Sequence, residues 1–209
     1  MKLLKIMLCV FAIAASGAGF SAEITPDALV KLTSQDVLAI VKQDKDIQSG
    51  NQKKIYELVD AKVLPHFDFT HMTTLAVGRH WKTATPTQQQ ALVKEFRALL
   101  VRTYSSSLAT YKNQTIDYKP LKSQPGDTDV TVKTQVLQSG GQPIPIDYSM
   151  EKTAAGWKVY DITVDGVSLV INYRSSFANE IRQSGIDGLI KTLVNKNQDG
   201  TVANASVKK

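Results

Sequence analysis

The fold is decided by residues 65–111, which read PHFDFTHMTTLAVGRHWKTATPTQQQALVKEFRALLVRTYSSSLATY. The second half of this stretch has the clearest helical pattern in the chain. Thr85 is a favourable N-cap residue, Pro86 suits the first helical position, and Gln88 stands where a capping box has Glu or Gln. The pattern therefore predicts a long helix that begins at Thr85.

Apolar residues then recur at spacings of three and four, which keeps one side of the helix facing inward for about six turns. The stripe consists of Leu92, Val93, Phe96, Leu99, Leu100, Thr103, Tyr104, Leu108 and Tyr111. It is wider than packing against one neighbouring helix requires. We expect a large apolar partner to lie against it.

The first 22 residues have the features of a secretory signal peptide. Lys2 and Lys5 precede an apolar segment, residues 6–15, that is too short to span a bilayer. Cleavage after Ala22 or after Ala18 fits the small residues that follow. We therefore expect export to the periplasm, and a mature chain without a transmembrane segment.

The mature chain is expected to contain no cysteine, because the single one, Cys9, lies in the signal segment. Disulfides and thiolate metal sites are then excluded. Residues 23–196 have the length of one domain, and the polar residues 197–209 are predicted to form a disordered tail. The net charge of +6 falls to +4 without Lys2 and Lys5. Without a basic, aromatic-rich run, nucleic-acid binding is not expected.

Helical periodicity is followed by strand periodicity and then by helical periodicity again. Residues 26–44, 52–63 and 68–77 predict three helices before the long one, and Gly78 is placed to cap the third. Residues 115–119, 129–137, 143–152 and 157–164 predict four strands joined by short turns. In the fourth, the apolar face slips after Val159, as a β-bulge would cause.

After an Asp165-Gly166 turn signal, residues 167–171 are expected to be buried on both sides. Helices are predicted at 173–182 and 186–193, with Gly185 between them. The fold class is therefore α+β: helices packed on a four-stranded antiparallel sheet.

Several motifs, taken in their order along the chain, resemble the MlaC family of periplasmic phospholipid-binding proteins, also known as the toluene-tolerance family. They are Met72-x-x-Leu75-Ala-x-Gly78-x-x-Trp81, Ala84-Thr-Pro-x-Gln88, Glu95-Phe96-Arg97-x-Leu99-Leu100, Thr103-Tyr104, Trp157-x-Val-Tyr160-Asp161, Gly166-Val167-Ser168 and Gly185-Ile186-Asp187-Gly188-Leu189. No single motif is specific, but the ordered set covers nearly the whole mature chain.

The resemblance implies a strongly twisted, nuclear-transport-factor-like sheet covered by helices, with a lipid pocket between the layers. It also implies a monomeric auxiliary component of an ABC transporter system that maintains outer-membrane lipid asymmetry. Its partners would be an outer-membrane lipoprotein–porin complex and the ring subunit of an inner-membrane ABC transporter, between which it carries glycerophospholipid. No catalytic residues, metal or cofactor are expected.

Physical chemistry sets the requirements of such a carrier. Roughly thirty methylene groups of a diacyl lipid must be hidden from water, in a cavity near or beyond the ~1,000 Å³ upper range of ordinary pockets. We predict that this cavity is lined by inward residues of the helices, of the sheet and of the segment that follows it. These are Met72, Leu75, Phe96, Leu99, Leu100, Thr103, Tyr104, Leu108, Val132, Val136, Ile144, Ile146, Tyr148, Val167, Val170 and Tyr173.

The polar end of the lipid is expected near solvent, because burying an unpaired phosphate is costly. Tyr104, Tyr148 and Tyr173 are the candidate headgroup contacts. Phosphatidylethanolamine and phosphatidylglycerol are the expected cargo, on the grounds of membrane abundance. The cavity would open at Ile144 and Val167, which flank turns.

Two other functions are open at this level. One is a binding protein for a small apolar solute or solvent. The other is an isomerase-like pocket enzyme that uses Asp147 and Asp161, although solvated or structural aspartates are the simpler interpretation. His66, His71 and His80 do not have the spacing of metal ligands on one helix face.

Exposed basic residues are candidates for docking onto partner complexes or acidic membrane surfaces. They include Arg79, Lys82, Lys94, Arg97 and Arg102. A shuttle must bind weakly and leave, which favours polar contact surfaces over large apolar ones.

Overall fold

The computed structural model of the protein describes residues 24–110, 114–138 and 140–198. The expected signal peptide and most of the expected tail lie outside these residues, as does Tyr111. The helices are α1 (Pro26–Gln43), α2 (Lys45–Gln48), α3 (Gln52–Lys62), α4 (Phe69–Val77), α5 (Pro86–Ser105) and α6 (Arg174–Gln198). The strands are β1 (Thr115–Tyr118), β2 (Asp129–Leu137), β3 (Ile144–Thr153), β4 (Gly156–Val164) and β5 (Val167–Ser168).

The predicted start of the long helix is confirmed. The Thr85 hydroxyl accepts a hydrogen bond from the Gln88 backbone N–H at 3.3 Å, and the Gln88 side chain accepts one from the Thr85 N–H at 3.0 Å. This reciprocal capping box satisfies two N–H groups at the start of α5.

The predicted length of that helix is wrong. The α-helix ends at Ser105 and continues as a 3₁₀ helix, Ser106–Thr110. Serines 105–107 have weak helix propensity, and a 3₁₀ helix turns more tightly than an α-helix. Leu108 therefore leaves the stripe and packs beside the cluster formed by α1, α2 and α3.

The strands form one antiparallel sheet in the order β1-β2-β3-β4-β5. The prediction of four strands is wrong by one short strand. Asp165 and Gly166 both have positive φ, 50° and 80°, as a type I′ turn requires. This turn brings Val167 back opposite Val164, so that Val167 and Ser168 form an edge strand.

The predicted bulge in the fourth strand is confirmed. Ser149 lies opposite Asp161 and Met150 lies opposite Val159, which leaves Tyr160 as the extra residue of β4. The bulge turns the Tyr160 ring toward α4, where it stacks on His71 at 4.3 Å between ring centroids.

The segment after the turn is less buried than expected. Val167 is 38% exposed and Ile171 is 41% exposed, whereas Val170 is fully buried. A two-residue edge strand has a neighbour on one side alone, so its side chains do not become enclosed. After it, the backbone of α6 breaks at Gly185, where φ is 72°, as the sequence indicated. The helix includes Asn197 and Gln198, two residues that the sequence assigned to the tail.

The buried apolar side chains form three clusters. The largest joins α4, α5 and α6, and here Phe96 packs edge-on against Phe177 with 5.2 Å between ring centroids. A second lies between the sheet and α1, and a third joins α1, α2 and α3. The large apolar partner expected for α5 is therefore chiefly α6, and the sheet has its own cluster.

Candidate functional site

An apolar cleft of about 190 Å³ lies between α1 and the sheet. Apolar residues from both layers and from the segment before α4 make up most of its walls. The lining residues are Leu29, Val30, Thr33, Ser34, Val37, Val63, His66, Phe67, Tyr148, Met150, Val159 and Ile162. The apolar face of α1 supplies one wall, and side chains of β3 and β4 on the same face of the sheet supply the other.

One polar side chain of the cleft, Ser34, has hydrogen-bond partners within the protein. The Ser34 hydroxyl lies 2.7 Å from the Val30 carbonyl oxygen and 2.6 Å from the Tyr118 hydroxyl, which ties α1 to β1. Burial raises the pKa of Tyr148 to about 12, and burial followed by the Lys158 ammonium lowers the pKa of His66. These side chains are neutral at pH 7, which suits an uncharged, apolar ligand.

The apolar face of the sheet continues beyond the part that α1 covers. The register places Val136 opposite Ile144 and Ile146 opposite Val164, and all four are half-buried. None of them belongs to the three buried clusters. From Val130 to Val136 this face extends about 20 Å at ~3.3 Å per residue, longer than the ~15 Å thickness of one leaflet's hydrocarbon.

The structure divides the predicted lipid contacts into groups. Most of those on helices lie within the packed α4–α6 cluster or against it, namely Met72, Leu75, Phe96, Leu99, Leu100, Tyr104, Val170 and Tyr173. Thr103 is half-buried and donates a hydrogen bond to the Leu99 carbonyl at 2.7 Å. Those on the sheet share one face, namely Val132, Val136, Ile144, Ile146 and Tyr148, with Val167 at its exposed edge. Tyr148 also lines the cleft.

Several cleft residues were not among the predicted contacts. They include Leu29, Val30 and Val37 of α1 and Val159 and Ile162 of β4, which lie in segments that the sequence predicted to be a helix and a strand. The sequence did not indicate that these two elements meet. That pairing is a long-range feature for which the local pattern carries no signal.

Two of the candidate headgroup tyrosines are neighbours in the helical cluster. Burial, followed by the adjacent Tyr173 hydroxyl, raises the pKa of Tyr104. Tyr173 also packs edge-on against Phe96, with 5.2 Å between ring centroids. This pair is therefore built into the packing of the helices, whereas Tyr148 belongs to the cleft.

The side chains considered for catalysis have separate partners. Asp147 lies 3.7 Å from the Lys133 ammonium. The Asp161 carboxylate accepts hydrogen bonds from the Ser168 hydroxyl at 2.5 Å and the Val170 N–H at 3.3 Å, and burial raises its pKa. Asp161 thus holds the segment after β5 against β4. Nothing in this geometry supports an acid–base pair.

His66 and His71 lie in different surroundings. The His71 ring nitrogen Nδ1 is 2.7 Å from a Glu151 carboxylate oxygen, whereas His66 lines the cleft. Within residues 24–110, 114–138 and 140–198, no group of three or more His, Cys, Asp or Glu side chains could hold a metal ion. Over the same residues, no helix combines the length and apolarity needed to cross a bilayer.

Comparison with known proteins adds three findings. The family model described as MlaC protein matches residues 31–195. The toluene tolerance protein Ttg2D of Pseudomonas putida is 27% identical over 170 residues, covering 81% of this chain and 78% of that protein. The intermembrane phospholipid transport system binding protein MlaC of Haemophilus influenzae is 22% identical over 172 residues, covering 81% of this chain and 80% of that protein.

A solved structure is also similar. It is the phospholipid-binding protein of Ralstonia solanacearum, determined in complex with a phospholipid. The two chains are 44% identical and align with a TM-score of 0.76, over 82% of this chain and 96% of the other.

Proposed function

The chain belongs to the MlaC family, and on that premise we propose that it is a periplasmic phospholipid-binding protein that transports lipid without chemical conversion. The observation that carries the proposal is the long apolar face of the sheet, of which α1 covers one part and leaves the other half-exposed. A similar chain at 44% identity binds a phospholipid. The fold we propose is of the nuclear-transport-factor-like type.

The energetics require enclosure of the lipid tails. At about 0.8 kcal/mol per methylene, hiding the two tails of one lipid from water is worth on the order of 20 kcal/mol. Spontaneous transfer through an aqueous compartment is therefore negligible. A protein that covers the tails during the crossing removes this barrier.

The cleft of about 190 Å³ is smaller than two acyl chains require. We therefore propose that the structure represents a closed form, in which α1 rests on the sheet. Loading would separate α1 from the sheet at the cleft and extend the cavity along the apolar face toward Val136 and Ile144. The hydrogen bond between Ser34 and Tyr118 is one contact that this movement would break.

In this arrangement the sheet residues of the predicted site would contact the acyl chains directly. The predicted helix residues, from Met72 through Tyr104, now pack against one another, so they would contact the lipid only if α4, α5 and α6 also moved apart. The headgroup would remain at the half-exposed end beside Ile144 and Val167. We propose phosphatidylethanolamine and phosphatidylglycerol as the cargo.

The proposed role in the cell follows the family. The protein would carry glycerophospholipid across the periplasm between an outer-membrane lipoprotein–porin complex and an inner-membrane ABC transporter ring subunit. In this way it would help to maintain the lipid asymmetry of the outer membrane. We propose that it acts as a monomer.

The proposal is tested by expressing the full chain, purifying the protein under mild conditions and analysing it by mass spectrometry. We expect a bound species with the mass of a diacyl phospholipid, released by organic extraction. A sample that carries no lipid, and that takes none up from vesicles, would refute it.

A second candidate function is supported by the size of the cleft. An apolar cavity of 150 Å³ can bind a single benzene molecule, and the cleft of about 190 Å³ is comparable. A binding protein for a small aromatic solute would therefore need no movement of α1. Saturable binding of toluene by lipid-free protein, with no uptake of phospholipid, would favour this function.

A further inference from the structure

The structure distinguishes the exposed basic residues that have protein partners from those that do not. Arg97 pairs with Asp60 at 2.5 Å, and Lys94 lies 3.5 Å from a Glu95 carboxylate oxygen. Arg102 donates hydrogen bonds to the backbone carbonyls of Lys196 and Asn197 at the end of α6. These three cations are engaged within the protein.

The remaining two candidates, Arg79 and Lys82, lie on the 3₁₀ helix Gly78–Thr83, and both are exposed. Residues three apart in a 3₁₀ helix lie one above the other, so these side chains share one face. Arg174, at the start of α6, adds a third exposed cation: its guanidinium lies over Gly78, within 3.0 Å of where a Cβ atom would stand. No hydrogen bond or ion pair engages these three side chains within the described residues.

Exposed apolar side chains precede Arg174 along the chain. Ile171 precedes Arg174 by one turn and is 41% exposed, and Val167, which is 38% exposed, lies on the edge strand that leads to it. Asp165, at the tip of the β4–β5 turn, is the one carboxylate exposed in residues 78–83 and 165–174. These two segments therefore carry three exposed cations and one exposed carboxylate.

We propose that Arg79, Lys82, Arg174, Val167 and Ile171 form a docking surface for an anionic phospholipid bilayer. Cations that flank exposed aliphatic side chains are the features of a surface that binds at the lipid–water interface, with the charges on the headgroups and the aliphatic groups between them. We commit to a bilayer as the occupant, because its anionic headgroups supply the negative charges that these cations do not find within the described residues.

The position of this surface relates docking to cargo. Val167 lies directly opposite Val164, at the half-exposed end of the apolar sheet face. Docking would therefore bring the open end of the proposed lipid site against the membrane. This inference rests on the proposed function in one respect, namely that a lipid carrier must meet a bilayer. The docking itself can be measured on protein without bound lipid.

Co-sedimentation with vesicles tests the docking surface. The wild-type protein should bind vesicles of mixed phosphatidylcholine and phosphatidylglycerol at low salt, bind pure phosphatidylcholine vesicles weakly, and be released by added salt. Replacement of all three cations (Arg79→Gln, Lys82→Gln and Arg174→Gln) should weaken binding to anionic vesicles on the order of 100-fold, at roughly fivefold per cation.

A matched control removes the same charge elsewhere. Lys122, Lys191 and Lys196 are exposed and lie outside the docking surface, so their joint replacement by Gln should change vesicle binding far less. The apolar contribution is tested by Ile171→Ser, which should weaken binding roughly tenfold. Thermal melting of each variant establishes that it is folded, and the salt dependence of the wild type tests the charge contribution without any substitution.

Equal loss of binding in the two triple variants would overturn the proposal, because net charge rather than this surface would then be responsible. It would also be overturned if the wild-type protein did not bind anionic vesicles, or if the Arg79/Lys82/Arg174 variant lost binding only to a purified membrane-protein complex. Mass spectrometry of copurified lipid on the same samples separates the two hypotheses. Retained lipid with lost vesicle binding supports docking, whereas absence of lipid with normal vesicle binding refutes the proposed function alone.

Discussion

Removal of bound lipid should destabilise the protein by an amount set by the cleft between α1 and the sheet. An empty apolar cavity lowers stability by about 24 cal/mol per Å³, so leaving 190 Å³ unfilled costs up to about 4.5 kcal/mol. This energy is an upper bound, because the cleft has an open side and α1 can move closer to the sheet. For a domain of this size, each kcal/mol changes the melting temperature by about 2–4 °C. The expected decrease is therefore up to roughly 10–18 °C.

The assay compares lipid-loaded and lipid-free protein by differential scanning calorimetry. Lipid is removed by unfolding in guanidinium on a column and refolding, after which mass spectrometry confirms its absence. Reloading from phosphatidylglycerol vesicles should restore the higher melting temperature. Glycerophosphoglycerol, which has the headgroup without the acyl chains, is the control and should have no effect because it cannot fill the cleft.

Identical melting temperatures for the loaded and lipid-free forms would refute this reasoning. In that case the acyl chains would not occupy the cleft that the structure shows. An increase on reloading that the headgroup control reproduces would place the stabilising contacts at the polar end of the lipid instead.

Three further changes have defined outcomes. Phe96→Ala should lower the free energy of unfolding by about 3–5 kcal/mol, because the ring is fully buried against Tyr173 and Phe177. Urea denaturation measures this change. The control is Leu32→Ala, which should change the free energy by about 0.5 kcal/mol or less because Leu32 is 56% exposed. Val167→Glu should abolish lipid retention in the purified protein without unfolding it, since the side chain is partly exposed beside the apolar face; lipid retained at the wild-type level would remove Val167 from the site. Burial raises the pKa of Asp161 above the ordinary 3.8, so the folded protein loses stability from this group as pH rises through the raised value. Asp161→Asn should therefore gain stability relative to the wild type between pH 3.8 and neutrality, and a pH-independent difference in urea denaturation would contradict this.

Local patterns predicted the individual elements well. The capping residues Thr85 and Gln88 marked the start of α5. The alternation in residues 129–137 predicted both the first and the last residue of β2. The slip of the apolar face in residues 157–164 indicated the bulge at Tyr160. These features depend on neighbours a few residues away, and the sequence displays such neighbours directly.

Predictions failed where a residue's environment depended on distant parts of the chain. Val167 and Ile171 are apolar, but their burial depended on whether another layer covered the β4–β5 edge, and within the described part of the chain both side chains remain exposed. Leu108 fitted the stripe of the long helix until the change to a 3₁₀ helix redirected it. The predicted lipid contacts stay a prediction: the sheet residues share one face, whereas the helix residues pack into a cluster of their own.

By itself, the sequence determined the class of the fold, the order of its longer helices and strands, and the resemblance to the family. The first two follow from periodicity and capping, which are local, and the third from the order of motifs along the chain. Only the tertiary structure decided that α1 covers the sheet, that α6 occupies the stripe of α5, and that Arg79, Lys82 and Arg174 have no ion-pair partner among residues 24–110, 114–138 and 140–198. The physical reason is that an apolar face specifies that it must be covered but does not specify by what, since the hydrophobic effect has no direction.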